Sequence, residues 1–417
     1  MRRISWIAVI AVALLVVTEP AALSQPVELR FMTCGGGLEN WTEAVAMWNE
    51  RTPDVRVVHE HIPICWEPLY ERIMVEYAAG TAPDVARMGL AFWPGLKENG
   101  MLYDIMPILE RLGFDPGEYF PGIMEYERDG GMYGLSSSIY SLATVINEDH
   151  FHEVGLPLPS TDWASTWTHD EHREALRLLT RYNPDGSLVR AGTTLNLHPE
   201  RIIQYFWQKG GSWFTPDGRR SAVNDEIGIA TLEWLHEILH VDRSAITNSA
   251  GDGEFNTALT SVHVTGQWFR PADDISARVR PLPRDVGGPA TPMFIDPYIV
   301  LATTNHPEEA TRFLMFLISE DVAELFIQRR HIGVPMHRAT VLNMLDSMFG
   351  NLPTEDKMVW IEAMDYTRRV PFTPNWTEIV QASTEELQKL ANNQATPRAV
   401  ADELARRINL LLAELDN

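Results

Sequence analysis

The chain has 417 residues, 45% of them hydrophobic and 22% charged. At roughly 100–200 residues per domain, that balance suits a soluble globular protein of two or three domains with proper cores. With 57 acidic against 34 basic residues the formal charge is -23, which excludes a nucleic-acid or anionic-membrane surface because no basic stripe can neutralise phosphates. The same charge disfavours anionic ligands unless a local basic pocket overrides it.

Residues 1–24 read as an address. Met1-Arg2-Arg3 is basic, Ile4–Val17 is apolar but too short for a comfortable membrane span, and Ala22-Leu23-Ser24 offers small residues for cleavage before Gln25. No cysteine follows the apolar run, so a lipid anchor is not expected and the product is exported in soluble form.

Val27–Met32 reads as the first strand, ended by Gly35-Gly36-Gly37. Trp41, Val45 and Trp48 recur at helical spacing, which assigns both tryptophans to a core-facing stripe. Thr52-Pro53-Asp54 stops that helix, and Val55–Ile62 is the second strand. Leu69, Ile73 and Tyr77 mark another helix, ending near Gly80 in the left-handed position past its last turn. Pro83–Met88 is then a short buried strand, and Phe92-Trp93-Pro94-Gly95 is expected to expose its aromatics. Strand, helix, strand, helix, strand is the signature of a parallel sheet. The two cysteines, Cys34 and Cys65, each follow a strand. If those strands are parallel neighbours, their carboxyl ends lie about one strand spacing apart, which predicts a disulfide in an oxidising compartment.

Ala79-Gly80-Thr81-Ala82-Pro83-Asp84-Val85, followed by Gly100-Met101-Leu102-Tyr103-Asp104, resembles the family-1 extracellular solute-binding proteins of ABC importers. This is the sugar-carrying group that includes the maltose- and trehalose-binding type. Asp129–Leu156 is similar to a second pattern of that family, with Asn147-Glu148-Asp149 in place but Ser136 for its proline and Ile146 for its tyrosine. Thr168 with Glu171 matches another and is also a capping box. Gly210-Gly211, Gly266-Gln267-Trp268, the return strand in Pro292–Thr303, a helix from Pro307 and the turn Gly333-Val334-Pro335 continue the likeness, which spans nearly all of the mature chain.

The resemblance implies an α/β fold of two lobes joined by crossing strands, the type II-like periplasmic-binding-protein architecture, with ligand in the cleft. The expected N-terminal lobe is residues 25–138 and 293–335, and the C-terminal lobe 139–292 and 336–417. It implies a periplasmic monomer that captures a sugar, a di- or oligosaccharide by its aromatic supply, and delivers it to membrane permease subunits, with no cofactor, no metal and no chemistry on the ligand. Sugars have apolar faces and polar rims, so aromatics at element ends are the candidate platforms. They are Trp66, Phe92, Trp93, Tyr140, Trp213, Trp268, Phe294 and Trp376, with Glu39 and Asp296 as polar partners. A non-sugar solute such as a polyol or polyamine is the alternative ligand.

One motif points elsewhere. His236-Glu237-Ile238-Leu239-His240 is a literal H-E-x-x-H, which on a helix can present two imidazoles to zinc with Glu237 as base. Against a zinc hydrolase, Glu233, His236, Glu237 and His240 share one stripe opposite Ala230, Trp234, Ile238 and Val241, as on a solvated face, and Glu254 is the one nearby downstream carboxylate. His59/His61, His150/His152 and His169/His172 lack a third ligand and are expected at the surface.

Overall fold

The computed structural model describes residues 26–247, 251–329 and 333–415, so the expected signal peptide lies outside the described residues. Two sheets carry the fold. Their strands are β1 (Val27–Cys34), β2 (Val55–Ile62), β3 (Val85–Arg87), β4 (Leu142–Asn147), β5 (Leu188–Leu195), β6 (Ala245–Thr247), β7 (Thr260–Gly266), β8 (Ala277–Arg280) and β9 (Tyr298–Val300). The first runs β9-β3-β1-β2, with β1 parallel to β2 and β3, and β9 antiparallel to β3. The second runs β6-β5-β7-β4-β8, with β5 parallel to β6 and β7, and β4 antiparallel to both neighbours.

The helices used below are α1 (Leu38–Arg51), α2 (Glu67–Ala78), α3 (His169–Leu179), α4 (Pro199–Gln208), α5 (Glu226–His236), α6 (Pro307–Leu317), α7 (Trp376–Ala391) and α8 (Pro397–Glu414). Leu29, Phe31 and Met32 are all fully buried, as expected of a strand covered on both faces. α1 buries Trp41, Ala44, Val45 and Trp48, and α2 buries Leu69 and Ile73. The first core joins these to β9 and α6, and it also holds Met336, Val341 and Met348, beyond the crossing expected at residue 335. A second core unites Leu176, Leu195, Ile202 and Val262 with Ile379 and Leu390 of α7 and Leu404 and Ile408 of α8.

Short segments pass between the lobes. Ser138–Ile139 pairs antiparallel with Val334–Pro335, and Tyr140 and Phe294 exchange two backbone hydrogen bonds of 2.8 Å. Thr291–Met293 pairs parallel with Thr367–Arg369.

Locally, several elements follow their sequence. Thr168 and Glu171 form a reciprocal capping box at the start of α3. Cys34 and Cys65 are disulfide-bonded, with Cα atoms 4.9 Å apart, because parallel register sets Cys34 beside Ile62 and the chain returns within three residues. Three expectations fail. Phe92 and Trp93 are buried, since Leu90–Phe92 and Trp93–Glu98 coil into consecutive helical turns that press both rings inward. His169 and His172 are buried too, their rings stacked on Trp234. On α5 the buried face is Ile229, Leu232 and Leu235, and a π-helical turn over Glu237–Val241 shifts the phase, leaving Val241 65% exposed.

Candidate ligand-binding site

A cavity of about 640 Å³ lies where loops from both lobes and the crossing segments converge. The first lobe supplies Cys34, Gly35 and Gly36 after β1, then Cys65, Trp66 and Glu67 after β2, then Arg87 with Gly89–Phe92 at the end of β3. The second supplies His198, Glu200 and Arg201 after β5, and Trp268 after β7. Tyr140, Phe294 and Asp296 come from the crossing segments, and Phe372, Trp376, Thr377 and Val380 from the C-terminal stretch. This places the cavity beyond the carboxyl ends of the strands, where open α/β sheets hold their ligands.

Of the sequence-proposed residues, Trp66, Phe92, Tyr140, Trp268, Phe294, Asp296 and Trp376 line this cavity together. Glu39, Trp93 and Trp213 do not. Glu39 is exposed in the first turn of α1. Trp93 is inside the first core, its indole donating to the Tyr133 carbonyl at 3.1 Å. Trp213 is fully buried edge-on against Phe206. Sequence reasoning missed Glu67, Arg87, His198, Glu200, Arg201 and Phe372. For Arg87 a signal existed: a charged side chain in a short apolar strand, just before the loop.

Each aromatic wall is held differently. Trp268 is 41% exposed, the only one of the lining tryptophans left so open. Its turn is fixed by the fully buried Gln267, whose amide accepts from the Ser141 N–H at 2.9 Å and donates to Ser141 Oγ at 3.1 Å. Gly266 is required, because a Cβ there would collide with the Trp268 ring folded back over it. Trp376 opens α7, buried, with its indole donating to Glu200 Oε1 at 3.0 Å. Trp66 has φ 74°, a conformation that costs a residue with a side chain about 1–3 kcal/mol. It persists because the ring is wedged against Gly89 and under the Arg87 guanidinium, 5.0 Å from its centroid. Phe92 stacks on Tyr70 at 5.0 Å.

The polar edge mixes both signs. Arg87 pairs with Asp296 at 2.5 Å. Burial pushes the Asp296 carboxyl above its ordinary range, and the Arg87 charge opposes that rise. Burial lowers the His198 imidazole, favouring its neutral form. Arg201 lies 4.7 Å from the Trp268 ring centroid and 4.9 Å from that of Phe294. Aromatic faces edged by carboxylates and guanidinium groups hold a ligand by stacking and hydrogen bonding.

The H-E-x-x-H residues are occupied elsewhere. His236 Nε2 meets Asn393 Oδ1 at 2.9 Å and His240 Nε2 meets the Leu390 carbonyl at 2.9 Å, so both clamp the end of α7, and Glu237 pairs with Arg173. No group of three or more metal-ligating side chains occurs among the described residues.

Two α/β lobes, crossing segments and a lined cleft between them define a solute-binding protein of ABC importers, a class that captures its ligand without chemistry. The chain belongs to the bacterial extracellular solute-binding protein family, whose pattern matches residues 35–324. A putative binding protein of Brucella abortus is 20% identical over 392 residues, covering 89% of each chain. Among solved structures, an ABC substrate-binding protein of Listeria monocytogenes in complex with cycloalternan superposes with a TM-score of 0.84 at 20% identity, covering 93% of this chain and 99% of its own. The UgpB protein of Mycobacterium tuberculosis in complex with glycerophosphocholine superposes with a TM-score of 0.81 at 15% identity, covering 94% and 100%.

Proposed function

We propose that this chain is the exported, periplasmic receptor of an ABC importer, a monomer that closes its lobes on a di- or oligosaccharide and presents it to the membrane permease. The observation that carries this reading is the composition of the cavity wall. Trp66, Tyr140, Trp268, Phe294, Phe372 and Trp376 offer flat apolar faces, while Glu67, Glu200, Asp296 and Arg87 provide an edge of acceptors and donors. A sugar ring has that same division between face and rim. The volume exceeds what a single small solute fills, which favours more than one ring. Family membership supports the transport role, and the Listeria relative with its bound saccharide supports the ligand class. Closure favours whichever state the sugar contacts on both lobes, so ligand affinity and permease recognition are linked.

The test is a thermal-shift screen of mono-, di- and oligosaccharides, with glycerophosphocholine alongside. A sugar at 100 times its dissociation constant adds about 2.7 kcal/mol of stability. A shift with glycerophosphocholine and with no sugar would overturn the carbohydrate reading.

A further inference from the structure

The cavity holds two arginines in opposite states. Arg87 is satisfied, since Asp296 takes its guanidinium at 2.5 Å. The Arg201 side chain makes no hydrogen bond or ion pair with any described residue, and its Nη1 is shut away from solvent with no acceptor. Trp268 and Phe294 each cover it with a ring, at 4.7 and 4.9 Å, and so restrain the plane of the guanidinium. Burial lowers its pKa, and the carboxylates that offset this through space, Glu200 and Asp252, are engaged with other groups. Glu200 Oε1 accepts from the Trp376 indole at 3.0 Å, and Asp252 Oδ1 lies 2.8 Å from His263 Nε2.

A buried donor left without an acceptor is costly, and a buried cation more so. A neutral sugar hydroxyl would meet one prong of this fork and leave the charge uncompensated. A carboxylate or phosphate meets two parallel N–H groups and the charge together. Resting on the carbohydrate reading above, we propose that the saccharide bears an anionic group, a carboxylate or a phosphate, and that Arg201 is the residue that receives it. The group enters between the Trp268 and Phe294 rings and the start of α4, while the sugar faces stack on the remaining walls. Such a local cation is what a chain of net charge -23 needs in order to hold an anionic ligand at all.

Titration calorimetry of the intact protein with matched sugars tests this: glucose, glucuronate and glucose 6-phosphate, and digalacturonate against its methyl ester. The acidic member of a set binds at least about tenfold tighter than the neutral one. The carboxylate and phosphate arms distinguish the two sources of charge. Arg201→Gln erases that preference and leaves the sugar-free melting temperature in place, because the side chain has no partner to lose. Arg201→Lys, which keeps the charge but not the fork, retains part of the preference. Neutral sugars that bind as tightly as acidic ones, or an Arg201→Gln variant that weakens both equally, would overturn the anionic assignment while leaving carbohydrate capture intact. Binding of no sugar in either form would overturn both.

Discussion

Removing the Cys34–Cys65 bridge tests the coupling between the first sheet and the cavity floor. The bond closes a loop with a sequence separation of 31. Loop-closure entropy for a loop of that size amounts to about 4 kcal/mol at room temperature. Both cysteines line the cavity, and Cys65 directly precedes Trp66, whose positive φ is held by the packing around it. Gly35 lies so near that a Cβ there would sit 2.9 Å from Cys65 Sγ, so the bridge also fixes the approach of the two loops. We expect Cys34→Ser/Cys65→Ser to lower unfolding stability by about 3–4 kcal/mol, and to let Trp66 relax out of its strained conformation, with a several-fold loss of sugar affinity. Equilibrium urea unfolding at neutral pH, with and without reductant, measures the first effect, since wild type responds to reductant and the variant does not. Calorimetry with the best sugar from the screen measures the second. Two reactive thiols in denatured, unreduced protein would refute the reasoning at its root. A fully reduced wild type with an unchanged urea midpoint would refute the magnitude.

Trp268→Ala is expected to weaken sugar binding more than tenfold, about 2 kcal/mol, at little cost to folding, whereas the fully buried Trp213→Ala costs about 3–5 kcal/mol of stability; calorimetry and urea melts separate the two. Stability falls on acidification because burial lowers the His169 imidazole to about 4 and that of His172 to about 3. The unfolded chain then binds more protons below its histidine pKa of about 6.5, so the contribution is complete above that value and is lost as the pH drops toward the folded values. The loss is on the order of 2–3 kcal/mol per residue by about pH 4.5, and replacing His172 with an apolar residue flattens that slope in pH-dependent melts. His236→Ala costs about 1 kcal/mol or less through its lost bond to Asn393, and a chelator leaves both melting and sugar binding unchanged. Stoichiometric zinc in the purified protein would contradict this.

The first lobe was legible because its signals are local. Trp41, Val45 and Trp48 mark a helical face, Val55–Ile62 is a strand to the residue, and the two cysteines follow neighbouring strands. What the sequence hid depends on distant partners. His169 and His172 look polar on a helix full of charges, but Trp234 offers them a ring to stack on, 4.4 Å from His169, and burial follows. Phe92 and Trp93 sit between a strand and a glycine, as loop residues do, yet the chain coils there and packs Trp93 on Tyr126 at 5.4 Å. Among the aromatics, those after Gly-Gln or on a crossing segment reached the cavity, while Trp213 went to the core. Arg201 had no local signal. Its meaning comes from Trp268 and Phe294, which only the folded chain brings to it.

The Trp376–Glu200 hydrogen bond joins residues 176 positions apart, and the helix it opens is the last wall of the cavity. Both sheets are complete in sequence by Val300, but α7 and α8 supply Ile379, Leu387, Leu390, Val400, Leu404 and Ile408 to the second core. During synthesis or export, then, every strand is available well before the cavity can close, and sugar recognition is the final property the chain acquires. A fragment that stops short of α7 keeps its sheets but lacks one side of the pocket and leaves the Glu200 carboxylate unmet. Ligand binding therefore reports on completion of the whole chain, and partial products cannot compete with the finished receptor for its sugar.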